Sequence, residues 1–297
     1  MKFTTQKLKM AAKPQQTKLS ALLFSVQTDE VLIPLLKSFL MKEFRDIESG
    51  KISAQAGTIL DAKLSAKTFA TRAVEYNHDS DDEKTKDYFH PSSIGNCQRK
   101  LAFQRLDAPT NGEPSGAELL RQALIFEIGT YVHVLFQNLC ERAGILEARE
   151  VSVIDHKRCI IGHADGILKI KGHRHLLEIK SCNLNTYSKL RQPKPEHEEQ
   201  AMIYMKLLNL DSAFIVYFHK DTSQIKEFRI KLNESLWKNR VEPRILNFQE
   251  NMRKHKLPKR EGELPSKFPC TYCEFSRICY DSFQLDKFIK AKKFTKL

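Results

Sequence analysis

Two carboxylates and an amine are the residues whose spacing best suits chemistry. Asp165 closes the run GHAD at 162–165, and Glu178 and Lys180 lie in LEIK at 177–180. Residues two apart on a strand point to the same face, so Glu178 and Lys180 form a pair. Ile160 to Lys180 reads as two strands joined by a turn at Lys171-Gly172-His173-Arg174. Pairing about that turn brings Asp165 near Lys180, onto the face of Glu178. Paired carboxylates bind Mg²⁺ or Mn²⁺ through hard oxygen ligands, and such a metal activates water and screens a phosphate. Lys180 could orient that water and stabilise the transition state. Glu-x-Lys is also common as solvated charge on an edge strand, but Leu176, Leu177 and Ile179 point to a more buried setting.

Other polar residues could join this group. His133 lies on an apolar helix ahead of the strands; it could give imidazole to the metal or be an ordinary packed histidine. His163, two residues before Asp165, could share its face. Gln200 and Tyr204 are four apart on a later helix and face the same way. They could reach a bound phosphate or hold Lys180, or form one polar, half-buried face. Glu196, Glu198 and Glu199 charge the start of that helix favourably. Arg99, Lys100 and Arg105 could line a DNA path or be solvated surface.

A second chemistry is written in cysteine. Cys270 and Cys273 are a close pair, and Cys279 follows six residues later. Three thiolates so spaced can converge, and Cys97 is the best fourth ligand. A tetrahedral sulfur site could hold Zn²⁺ or an iron–sulfur cluster. Cys140, Cys159 and Cys182 sit inside expected regular elements and read as small buried hydrophobes. Cys97 and Cys270 flank the presumed catalytic stretch, so the site would staple its two ends, and losing it could unfold the domain.

The elements that must position these residues follow from periodicity. Asp29 to Ile47 carries Leu32, Leu35, Leu36, Phe39, Leu40, Phe44 and Ile47 at helical spacing, with Pro34 near its first turn. Residues 52–76 suit one or two more helices, and 77–87 an acidic surface linker. Pro91-Ser92-Ser93 starts a short helix with Cys97 in its first turns. A long helix is expected over 117–143, its apolar set running through Leu120, Leu124, Ile128, Tyr131, Val132, Leu135, Phe136 and Leu139. Gly129 and His133 share one of its faces. Strands are expected at 148–155, 159–170 and 175–181, a helix at 196–208, a buried strand at 212–219, an outer strand at 225–232 and a helix at 234–251. This order predicts an α/β fold, a mixed central sheet flanked by helices.

Composition adds bounds. The 297 residues are 41% hydrophobic, enough for a real core. Lys and Arg total 49 against 36 acids, a net charge of +13, which suits a polyanionic partner or simply a solvated surface. Residues 1–20 hold five Lys and no acid, a basic arm; the C-terminal tail is basic too. No stretch approaches a membrane span, and no membrane partner is expected. Seven cysteines, an odd number, without a secretory signal argue for a reducing, cytoplasmic setting (the host cytoplasm for a phage-encoded protein). No G-x-x-x-x-G-K-[ST] motif is present, so unwinding would need a separate partner.

Taken together, SSIGNCQRKLAF (92–103), GTYVH (129–133), GHAD, LEIK, EEQAMIY (198–204) and CTYCEFSRIC (270–279) resemble the PD-(D/E)XK nuclease superfamily. The likeness is to its RecB-like branch with an iron–sulfur cluster, which includes CRISPR-associated Fe–S exonucleases, and it covers residues 90–280. The resemblance implies a restriction-endonuclease-like fold. It implies Mn²⁺ or Mg²⁺ on His133, Asp165 and Glu178, Lys180 as the catalytic lysine, and Gln200 and Tyr204 as the following helix motif. It also implies a [4Fe–4S] cluster on Cys97, Cys270, Cys273 and Cys279. Ala164 stands where the family has its nominal Pro, a position that gives no ligand. The expectation is a metal-dependent DNA exonuclease acting on single strands or ends, in repair, recombination, phage or CRISPR DNA processing, with a helicase or recombination partner. A structure-specific endonuclease, a noncatalytic DNA-binding protein with a metal staple, and an iron–sulfur redox enzyme are the alternatives. The expected divisions are an arm and helical accessory region (1–88), the nuclease domain (89–284) and the tail (285–297).

Overall fold

An unbroken apolar run such as Ser212–His219 makes sense only for a strand covered on both faces. In the computed structural model, which describes residues 31–49 and 88–296, that strand lies inside a mixed five-stranded sheet. The strands are β1 (Leu146–Asp155), β2 (Ile160–Ile170), β3 (His173–Cys182), β4 (Ser212–His219) and β5 (Ile225–Lys231), in that order across the sheet. The helices are α1 (Leu32–Glu48), α2 (Gln98–Arg105), α3 (Gly116–Arg142), α4 (Leu184–Lys189), α5 (Pro195–Leu208), α6 (Glu242–Arg253), α7 (Ser276–Tyr280) and α8 (Ser282–Ala291). Within the sheet β3 and β4 are parallel, and their other neighbours antiparallel. A parallel pair needs a long crossover, supplied here by α4 and α5. Alternation on β4 fills both cores. Ala213, Ile215 and Tyr217 face α5 and α6, whereas Phe214, Val216 and Phe218 face α1 and α3. The mixed sheet flanked by helices is as the sequence predicts. The arm at 1–20 and the elements expected over 52–87 lie outside the described residues.

The helical N-terminal region is tied to the sheet by one carboxylate. Glu227 of β5 is buried beneath α1, and its oxygens accept the amides of Val31 at 2.6 Å, Leu32 at 3.0 Å and Ile33. A helix start has unsatisfied N–H groups and a positive dipole end, and this carboxylate answers both. Leu32 and Leu36 then pack with Phe136 and Leu139 of α3.

Several expectations are corrected. The hairpin turn is Lys171-Gly172 alone, with φ of 50° and 84°; His173 and Arg174 already pair with Ile170 and Lys169. A two-residue hairpin turn requires such left-handed angles. Cys97 is the residue before α2 rather than within it. Cys159 is half-buried in the turn before β2, so it is not a core residue. The helix expected over 234–251 passes through a π turn at Trp237–Val241. Finally, α3 does not bury the apolar set as one stripe. Leu120, Leu124, Ile128 and Tyr131 are exposed, and continuous packing begins at Val132. A 27-residue helix is about 40 Å long, so its first half runs past the elements that cover the second. By length and composition this helix could also cross a membrane, which corrects the expectation that no stretch comes near that.

Candidate active site and cysteine-lined cavity

Strands β2 and β3 stop pairing at Gly166 and Leu177. Beyond that point β2 pairs with β1, and β3 with β4, leaving a fork between them. Asp165 stands one step past the last pair. Its Oδ2 accepts the Ile179 amide at 2.5 Å, in place of a ladder bond. On the other side, the pairs Arg149/Gly166 and Val151/Ala164 set Glu150 opposite Asp165. Glu150 has φ of 46°, in the left-handed region, where a non-glycine residue is held at a cost of about 1–3 kcal/mol.

Helix α3 supplies what holds these two carboxylates. His133 and Gln137 are four apart and share a face. His133 Nδ1 lies 3.2 Å from Asp165 Oδ1. The Gln137 amide donates to Glu150 Oε1 and to the Asp165 backbone oxygen, each at 2.7 Å. One donor atom each from His133, Glu150 and Asp165 falls within 4.8 Å of the others. Donors around one small cation at about 2.1 Å stand roughly 3–4 Å apart, so the trio suits a shared ion. Burial pushes the Asp165 carboxyl up, but His133, Lys180 and the Ile179 amide outweigh it and hold the group below the usual carboxylate range.

Glu178 and Lys180 line the β3 side of the fork. Lys180 Nζ lies 2.6 Å from Glu178 Oε1 and donates to Gln200 Oε1 at 2.9 Å. Glu178 is 1% exposed, and neither of its carboxylate oxygens has a well-directed hydrogen bond among the described residues. Burial pushes its carboxyl up to about 7, with Lys180 opposing and Asp165 adding to the shift. Lys180 is half-buried; desolvation lowers its ammonium, but Glu178 and Asp165 outweigh this and raise it above the usual lysine range. Tyr204, on α5 with Gln200, has its hydroxyl raised by burial and by Glu178 and Asp165. A Cβ at Gly162 would sit 2.9 Å from that hydroxyl, so only glycine lets the tyrosine reach this depth. His163 is half-buried and acts on His90, lying outside the trio.

Thus Asp165, Glu178, Lys180, His133, Gln200 and Tyr204 converge, with Lys180 on Gln200 and His133 on Asp165. The donor trio, however, contains Glu150, which sequence reasoning passed over. In AREVSV on β1 it falls in phase with Ser152, so it reads as an ordinary polar strand position. Gln137 carried no signal at all. Groups that orient metal ligands commonly change affinity by 10–100-fold, so Gln137→Ala should weaken Mn²⁺ binding by about that factor. Calorimetric titration of chelator-treated protein would show it, and an unchanged affinity would remove Gln137 from the site.

Beside the fork, a cavity of about 470 Å³ is lined by Lys180, Gln200 and the four cysteines 97, 270, 273 and 279. All four are free thiols. Cations and hydroxyls turn toward the sulfurs: Arg99 Nη1 lies 4.0 Å from Cys279 Sγ, and the Tyr280 hydroxyl donates to Cys270 Sγ at 3.4 Å. Burial pushes the thiols of Cys273 and Cys279 up, with Arg99 and Arg260 opposing at Cys279. A Cβ at Gly262 would stand 2.2 Å from Cys270 Sγ, so the backbone there closes directly over the sulfur. Arg99 is buried, with its Nε on the Pro258 oxygen at 2.6 Å, a structural tie rather than solvated charge. Arg105 turns away to Gln249 and the Phe248 ring.

No protein-family profile matches the chain, and no curated protein matches it. Among solved structures it is similar to SSO0001, at 20% identity over 65% of this chain and 86% of that one, with a TM-score of 0.44. It is also similar to an alkaline exonuclease, LHK-Exo, from Laribacter hongkongensis, at 20% identity over 56% and 88% of the two chains, with a TM-score of 0.41. The structure of LHK-Exo in complex with dAMP matches at 22% identity with the same coverage and TM-score.

Proposed function

We propose that this chain is a divalent-metal-dependent nuclease that hydrolyses DNA phosphodiester bonds, working from ends. The observation that carries the reading is the fork, where the His133–Glu150–Asp165 donors stand beside the pair of buried Glu178 and half-buried Lys180. His133, Glu150 and Asp165 would hold Mg²⁺ or Mn²⁺, with the buried carboxylate of Glu178, which pairs with Lys180, completing the set. When bound, that ion would supply Lewis-acid stabilisation of the phosphate and acidify water.

The chain's own groups do the rest. In hydrolysis a water oxygen bonds to phosphorus, the bond to the departing sugar oxygen breaks, and a proton reaches that oxygen. Lys180 has three N–H donors, of which Glu178 and Gln200 take two among the described residues. The third can orient the attacking water or meet charge growing on the phosphate. Gln200 keeps the ammonium aimed, and Tyr204 closes the floor beneath it. The net charge of +13 favours a phosphate polymer.

The cysteines read as a staple. Thiolates around one zinc, at about 2.3 Å from it, stand roughly 3.8 Å apart. Cys97, Cys270, Cys273 and Cys279 line one cavity and would hold an iron–sulfur cluster, or Zn²⁺ as the alternative. Work at DNA ends in repair or recombination, beside a separate helicase, suits such an enzyme.

The test is cleavage of end-labelled linear and circular single-stranded DNA by anaerobically purified protein with Mn²⁺, Mg²⁺ or EDTA. Metal-dependent loss of the linear strand alone is the expected result. Cutting of the circle would make the enzyme an endonuclease, and no cleavage by cluster-loaded protein would overturn the enzymatic reading.

A further inference from the structure

The two most exposed large hydrophobic side chains in the neighbourhood of the site are Phe268 and Tyr272, at 83% and 86%. They flank Cys270 and line the same cavity as Lys180. A large ring left in water gives up the stabilisation that burial would bring, and aromatic groups gathered at one opening mark a place where something apolar docks. The same cavity carries Lys100 and Arg260 on its wall. Exposed rings beside cations, leading to a phosphate-cleaving lysine, are the makings of a single-strand path: cations follow the backbone while rings stack on bases.

We propose that Phe268 and Tyr272 form a base-stacking platform that receives single-stranded DNA and leads it across the cysteine-lined wall to Lys180. The proposal deepens the nuclease reading and rests on it for the identity of the polymer. Bases in a duplex are already stacked on each other, so the platform selects strands whose bases are free. Because stacking tolerates any base, the platform is indifferent to sequence.

The experiment uses the full chain with its cysteine centre loaded and EDTA present to prevent cleavage. Fluorescence anisotropy measures binding of a labelled oligodeoxythymidylate and of a blunt duplex of equal length. Phe268→Ala/Tyr272→Ala should raise Kd for the single strand at least about 20-fold and for the duplex less than about threefold. Tyr272→Trp should keep the affinity, and its emission should fall when the oligonucleotide binds. Trp237, the chain's one tryptophan, is buried and gives a silent background. Single-strand affinity within about threefold of wild type, or equal weakening of both ligands, overturns the platform. Should the double variant fail to fold, Tyr272→Trp decides alone, since undiminished emission at saturation sinks the proposal. Wild type that binds but never cleaves leaves the platform standing and removes the nuclease; wild type that binds no DNA removes both.

Discussion

Glu178→Gln should lower DNA cleavage about 1,000-fold or more, while single-strand binding in EDTA stays close to wild type. The substitution keeps the shape of the side chain and deletes one negative charge at the fork. Phosphate contacts from the basic surface are untouched, so affinity survives. The same variant should change metal-free stability in a particular direction. In the fold, Glu178 is pushed up to about 7 by burial, while an unfolded glutamate titrates near 4.5. Between those values the folded state holds the extra proton, so stability falls as pH rises from about 4.5 to 7. The loss is complete above 7 and amounts to a few kcal/mol. Glutamine does not titrate, so Glu178→Gln should melt higher than wild type at pH 8 without metal and about equally at pH 4.5. His197 and His90 are pushed down by burial and act in the opposite sense below about 6.5. Comparing wild type with the variant at each pH cancels their contribution. Adding Mn²⁺ should raise the wild-type melting temperature more at pH 8 than at pH 5.5, and should raise the variant's less, since the His133–Glu150–Asp165 donors remain. Equal cleavage by variant and wild type would end the site assignment.

Cys273→Ala should remove the proposed metal centre and lower the melting temperature by about 10 °C or more, with much of the protein insoluble. The C-terminal segment also packs into the main core through Phe275, Ile278, Leu285 and Ile289, so the effect expected is that of losing a bound metal on top of this packing. Asn111 bonds the Cys273 oxygen at 3.0 Å and Ser276 Oγ at 2.9 Å, and Phe103 packs on Phe275 and Phe288. Metal binding by folded ligands adds its free energy to these contacts, so its loss lowers stability even where the packing remains. Cys159→Ala, in its half-exposed turn, is the control and should leave both metal content and melting unchanged. Iron and zinc analysis with visible absorption reads the outcome. A variant that keeps its metal and its melting point would show that Cys273 is no ligand.

The sequence alone determined the α/β architecture, because covered strands and amphipathic helices have different periods. It also made Asp165, Glu178, Lys180 and the Cys270–Cys273–Cys279 cluster candidates, because their spacing within one strand, one hairpin or one short stretch is local, whereas Cys97 joins that cluster only in the fold. Alternation placed Glu178 and Lys180 together, and they are in contact at 2.6 Å. What only tertiary structure decided is which distant groups meet them. Glu150 enters through the register of β1 on β2 and a left-handed φ, neither of which residue types specify. Gln137 matters because α3 happens to cross both strands there. The burial of α3 was misjudged for the same reason. Periodicity shows that a helix has an apolar face but not how far along the helix a neighbour extends to cover it. Likewise β5 was legible as an edge strand, while the role of Glu227 depends on a helix start about 195 residues away in the chain. Local spacing fixes which side chains can act as a unit; packing between remote segments fixes what surrounds that unit, and so which carboxylates complete it.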